Sequence, residues 1–75
     1  MGAGLPVLSA REVERILLAL GFVRRSGKGA HRFFRHADGR TTTVPFHAGR
    51  DIRSCLLHKI CADIGLSISD FIGSR

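Results

Sequence analysis

The dipeptide Asp38-Gly39 restricts the fold of this chain more than any other feature. Between two runs of strand-forming residues, Asp-Gly marks a tight β-hairpin, because glycine takes the positive φ that the reversal needs at no steric cost. The run before it, residues 30–36, is rich in aromatic and charged residues, and Thr41-Thr42-Thr43-Val44 follows it. Pro45 closes the second run, since proline cannot donate to a ladder. A shorter run at residues 22–25 is joined to the first by the flexible turn Ser26-Gly27-Lys28-Gly29. These pieces predict a three-stranded antiparallel meander.

Helical spacing takes over on both sides. Ser9 suits a helix N-cap, with Glu12 three residues on as in a capping box and Leu8 and Val13 placed as a hydrophobic staple. Val13, Ile16, Leu17 and Leu20 repeat at helical period and Gly21 suits the end, which predicts a helix over residues 10–20. After a loop at residues 46–50, Asp51 is read as the cap of a second helix. Its apolar stripe is Ile52, Leu56, Ile60 and Ile64, widened by Leu57 and Cys61, and Gly65 stops it. Residues 67–72 suggest a short closing helix with Phe71 and Ile72 against the body. The fold class is therefore α+β: a single small domain at residues 9–73, ordered α-β-β-β-α, after a loose lead-in at residues 1–8. Both helices are expected on one face of the sheet, which leaves the other face for a ligand. With 75 residues the core is thin, since so short a chain buries only about 60% of the surface it exposes when unfolded.

The charge is unevenly placed. Arg24, Arg25, Lys28, Arg32, Arg35, Arg40, Arg50 and Arg53 face only Asp38 and Asp51 in the middle of the chain, and this segment carries the whole net charge of +6. Elsewhere four cations and four carboxylates cancel. A polyanion is the natural partner of such a segment, and a basic surface without a ligand is the plain alternative.

Cys55 and Cys61 lie six residues apart in one helical stretch, on different sides, so no disulfide is expected and reduced thiols suit the cytoplasm. The same spacing, about 9 Å along a helix axis, keeps Cys55, His58 and Cys61 from sharing one zinc, and no metal or cofactor is expected. No apolar run reaches membrane-spanning length and no export leader opens the chain, so no membrane partner is expected.

Acid–base chemistry near neutral pH begins with the four histidines. His31 and His36 are five apart on one strand and face opposite ways. His47 follows Pro45, and His58 belongs to the second helix. His31 comes directly after Lys28-Gly29-Ala30, amid the basic cluster, where it can reach a phosphate whose charge Lys28, Arg32 or Arg24 would hold. Metal-free RNA cleavage needs such parts: a base for the 2′-hydroxyl proton and cations for the developing charge. The same histidine can equally be a strand-end residue that only contacts RNA.

Leu20-Gly21-Phe22, Gly29-Ala30-His31, His36-Ala37-Asp38-Gly39-Arg40 and Thr43-Val44-Pro45-Phe46-His47 occur in an order and spacing that resemble the HicA toxin family. The helix ending Lys59-Ile60-Cys61-Ala62-Asp63-Ile64-Gly65-Leu66 resembles that family's second helix. The resemblance covers roughly residues 9–71. It implies a double-stranded-RNA-binding-like fold, mRNA interferase (endoribonuclease) activity, and a HicB-type antitoxin as partner. His31 matches the family's catalytic histidine, and Arg24, Arg25, Lys28, Arg32, Arg35 and His47 are the expected RNA contacts. Two departures stand out: Ala30 replaces the usual Ser, and Arg53-Ser54-Cys55-Leu56 replaces the common Lys-Gly-Thr-Leu. The rival readings are a non-catalytic RNA-binding module of the same fold and a protein-interaction adaptor that meets an acidic partner.

Overall fold

Ser9 starts the first helix through a reciprocal pair of hydrogen bonds. In the computed structural model, which describes residues 7–25, 29–47 and 49–74, the Ser9 hydroxyl accepts from the Glu12 amide at 3.1 Å, and the Glu12 carboxylate accepts from the Ser9 amide at 3.0 Å. This is the expected capping box. In chain order the elements are β1 (Leu8–Ser9), α1 (Ala10–Ala19), β2 (Val23–Arg25), β3 (His31–Arg35), β4 (Thr41–Pro45), β5 (Asp51–Ile52), α2 (Ser54–Ile64) and α3 (Ile68–Gly73). The lead-in expected at residues 1–8 falls largely outside the described residues, and so does the turn at residues 26–28. Leu8, the last residue of that lead-in, is fully buried in β1.

The meander has the order β2-β3-β4, antiparallel throughout. Gly39 takes a φ of 99°, while no non-glycine residue has a positive φ among those described. The Gly39 amide donates to the His36 carbonyl at 2.9 Å and the His36 amide donates to the Arg40 carbonyl at 2.8 Å. The hairpin therefore turns through a three-residue loop ending in a glycine bulge rather than a two-residue turn, which would need Asp38 at positive φ.

Alternation along β3 and β4 sorts the side chains. Phe34, Thr42 and Val44 are buried on the face where α1 and α2 pack. His31, Phe33, Arg35, Thr41 and Thr43 alternate to the opposite face and are exposed. Both helices thus cover one side and the α-β-β-β-α order holds. Val13, Ile16 and Leu17 of α1, with Leu57, Ile60, Cys61 and Ile64 of α2, meet Phe22, Phe34, Val44 and Phe71 in one core. Polar links fix α2 to β4 and the hairpin turn before it. The buried Thr42 hydroxyl donates to Asp63 at 3.0 Å, and Arg40 donates to the Ile64 carbonyl at 2.6 Å, satisfying a carbonyl in the last turn of α2.

Two expectations about the second helix are corrected. Asp51 does not cap it, and Ile52 is not on its stripe. Both lie in β5, where Ile52 pairs with Leu8 and Asp51 with Ser9 in an antiparallel two-stranded ribbon. That pairing holds the chain extended, so α2 begins later, at Ser54. Its N-cap is Arg53, which makes no side-chain capping bond. Ile52 is buried all the same, from the ribbon rather than the helix.

Candidate nucleic-acid interface

The face of the sheet away from the helices carries His31, Phe33 and Arg35 from β3, Thr41, Thr43 and Pro45 from β4, and Val23 and Arg25 from β2. Strand register places them. Directly opposed residues share a face, and the pairs are His31 with Pro45, Phe33 with both Arg25 and Thr43, and Arg35 with both Val23 and Thr41. Arg25 therefore stands diagonal to His31 and to Arg35, a separation of about 7–8 Å that long side chains span. Phe33 lies between them, 36% exposed, and Val23 is 57% exposed. An open surface with a histidine, two arginines and an unburied aromatic ring can take a nucleic-acid strand by phosphate contact and base stacking.

Ion pairing divides the arginines further. Arg32 alternates to the helix face, where its guanidinium meets both oxygens of Glu14 at 3.0 and 2.8 Å and lies over the Phe46 ring at 3.8 Å. Arg40 binds the Asp38 carboxylate at 2.8 Å and stands over Phe22 at 5.3 Å. The Arg40 amide, donating to Asp38, holds that carboxyl below its ordinary range. Lys59 pairs with Asp63. Among the described residues Arg24, Arg25, Arg35, Arg50 and Arg53 are all exposed and in no ion pair. Glu14, Asp38 and Asp63 are taken up by cations that build the fold, while Asp51, the other carboxylate of the basic segment, is exposed and in no ion pair among the described residues.

Of the residues singled out from the sequence, His31, Arg25 and Arg35 come together on the open face. Arg24 opposes Phe34 and so points to the helix side of the edge strand. Arg32 is engaged as described, and Lys28 lies outside the described residues. His36 has a fold role: its Nδ1 accepts from the Asp38 amide at 3.1 Å and its ring meets Phe22 edge-on at 5.1 Å. His58 is exposed on α2.

His47 sits elsewhere, in company that sequence reasoning did not assemble. It lines a cleft of about 230 Å³ with Arg50 and Arg53, whose walls include Pro45, Ile52 and Leu56. A neighbouring hollow of about 240 Å³ shares His47 and Arg50 and adds Arg11. The regular spacing of His47, Arg50 and Arg53 was the available signal. Nothing in it shows that the segment folds back as β5 and brings the three side chains to one opening. Cys55 is exposed at this cleft, while Cys61 is buried and its thiol is pushed up by desolvation.

Comparison with curated proteins gives no match. The sequence profile of the HicA toxin of bacterial toxin–antitoxin systems matches residues 10–66, from the first residue of α1 to just past the end of α2. The match spans the capped helix, the meander with its open face, and the helix that backs it. The chain belongs to the HicA family, the toxins of bacterial toxin–antitoxin systems.

Proposed function

We propose that this toxin is a metal-independent endoribonuclease, an mRNA interferase, with His31 as its general base. The observation that carries the reading is the position of His31 on the uncovered face of the sheet, beside the unpaired Arg25 and in line with Arg35. In this mechanism His31 takes the proton of a 2′-hydroxyl, and the freed oxygen attacks the adjacent phosphorus. The bond from phosphorus to the 5′-oxygen breaks, leaving a 2′,3′-cyclic phosphate on one fragment. The 5′-oxygen of the other fragment receives a proton from a second donor or from water. Arginine side chains near the phosphate stabilise the charge that builds on its oxygens. A HicB-type antitoxin would restrain the toxin by covering the same face.

The test is His31→Ala. Loss of a general base costs on the order of a hundredfold to ten-thousandfold in rate. The variant should therefore lose cleavage and toxicity on expression while keeping its melting temperature and most of its RNA affinity, because His31 is exposed and outside the core. Wild-type cleavage should persist in EDTA and give cyclic phosphate ends. A His31→Ala protein that cuts at the wild-type rate removes the assignment, and a wild type that binds RNA and never cuts makes the domain a binding module.

A further inference from the structure

Pro45 belongs to two surfaces at once. It is the direct cross-strand partner of His31, and it forms one wall of the cleft that holds His47, Arg50 and Arg53. An RNA strand lying on the open face at His31 thus has that cleft as its neighbour across a single residue. The two features of the cleft differ in chemistry. Ile52 and Leu56 add apolar wall to the Pro45 ring, while the three cationic or protonatable side chains are all exposed. At about 230 Å³ the cleft is smaller than the roughly 300–1,000 Å³ of clefts that take drug-sized ligands, which suits one planar ring system. Asp51 is the only carboxylate in the lining. It repels phosphate from its own side of the cleft and can accept a hydrogen bond from a base amino group.

We propose that this cleft is a subsite for one unpaired nucleotide of the RNA, its base against Pro45, Ile52 and Leu56 and its phosphates on Arg50 and Arg53, next to the position served by His31. The proposal rests on the RNA-cleaving reading and adds a substrate class to it: single-stranded RNA, since a paired base cannot leave its stack to enter without disrupting the duplex.

Cys55 supplies the readout, because its exposed thiol lies at this cleft while the only other cysteine is buried. The full-length His31→Ala protein, which leaves RNA whole, is alkylated with N-ethylmaleimide with and without a short mixed-sequence single-stranded RNA. Wild type with the 2′-O-methyl form of the same strand, which cannot attack its own phosphate, gives the same measurement without the substitution. Bound single strand should slow Cys55 alkylation several-fold, and the same strand annealed to its complement should not. Arg50→Ala and Arg53→Ala should each weaken binding, reduce the salt slope by about 1 and abolish the protection. RNA that binds while Cys55 reacts at its free rate overturns the proposal, as does equal protection by the duplex. Protection by the antitoxin but not by RNA overturns it too, and gives the cleft to the protein partner. Protection by RNA in a protein that never cleaves would refute the nuclease reading and still support the subsite.

Discussion

Arg32 and Arg35 are three residues apart on one strand, and they show how little a formal charge says about its use. Arg32 points inward to Glu14, whose side chain is only 17% exposed, and stacks on Phe46. Removing it would strand a half-buried carboxylate and take packing from a ring. Arg35 points outward and is in no ion pair among the described residues. Arg32→Ala should therefore lower stability by about 1–2 kcal/mol, seen as a fall in the denaturation midpoint, with the salt slope of RNA binding nearly unchanged. Arg35→Ala should leave the midpoint alone and reduce the salt slope by about 1. If the two variants exchange these phenotypes, the open face is not the RNA surface. Exposed surface pairs are worth little in general, and the partial burial of Glu14 is what places Arg32 above them.

At the scale of the element, α1 and α2 begin in opposite ways. Ser9 gives α1 a complete capping box, whereas α2 starts at Arg53 with no side-chain cap and no acidic residue in its first turn. A serine at an N-cap typically contributes about 1 kcal/mol over a residue that cannot cap. Arg53→Ser should accordingly raise the melting temperature. With Arg53 as a phosphate contact, the same change should weaken RNA binding, so stability and affinity would move in opposite directions. A variant that gains stability and binds RNA as tightly as wild type would show that Arg53 is only a poor cap. The β1–β5 ribbon is the reason the cap falls on an arginine, since it keeps residues 51 and 52 extended and delays the helix.

For the molecule as a whole, the sheet has one packed face and one open face. One face is closed by α1 and α2, and the acid groups Glu14, Asp38 and Asp63 hold Arg32, Arg40 and Lys59 in place. The excess positive charge is then left on surfaces free of ion pairs. An antitoxin that restrains RNA cleavage by occlusion should present carboxylates to Arg25 and Arg35. The toxin–antitoxin complex should form faster at low salt than at high salt, and Arg25→Ala with Arg35→Ala together should slow association more than they speed dissociation. Stopped-flow mixing of the purified pair measures both rates. An antitoxin that binds with unchanged kinetics, or that leaves RNA cleavage undiminished, does not work by covering this face.

Much of this arrangement was legible in the sequence because its causes are local. A capping box spans four residues, the hairpin turn needs a glycine within a few positions of its aspartate, and helical or alternating periods repeat inside one element. Ser9, Gly39, Pro45, Gly65 and the α1 stripe could therefore be read directly, and with them the α-β-β-β-α order. Alternation along the strand set His31 and His36 on opposite faces, but only the packing of the helices shows that His31 has the open one. The β1–β5 ribbon could not be read, since Leu8–Ser9 and Asp51–Ile52 are two-residue pieces far apart in the chain and carry no period. Nor could the fate of each arginine, because whether a guanidinium finds Glu14 or stays in solvent depends on which elements pack against its strand. The sequence determined the meander, the two main helices and the sign of the surface; tertiary packing alone decided the β1–β5 ribbon, which cations remain available, and that His47, Arg50 and Arg53 share one cleft beside the cross-strand partner of His31.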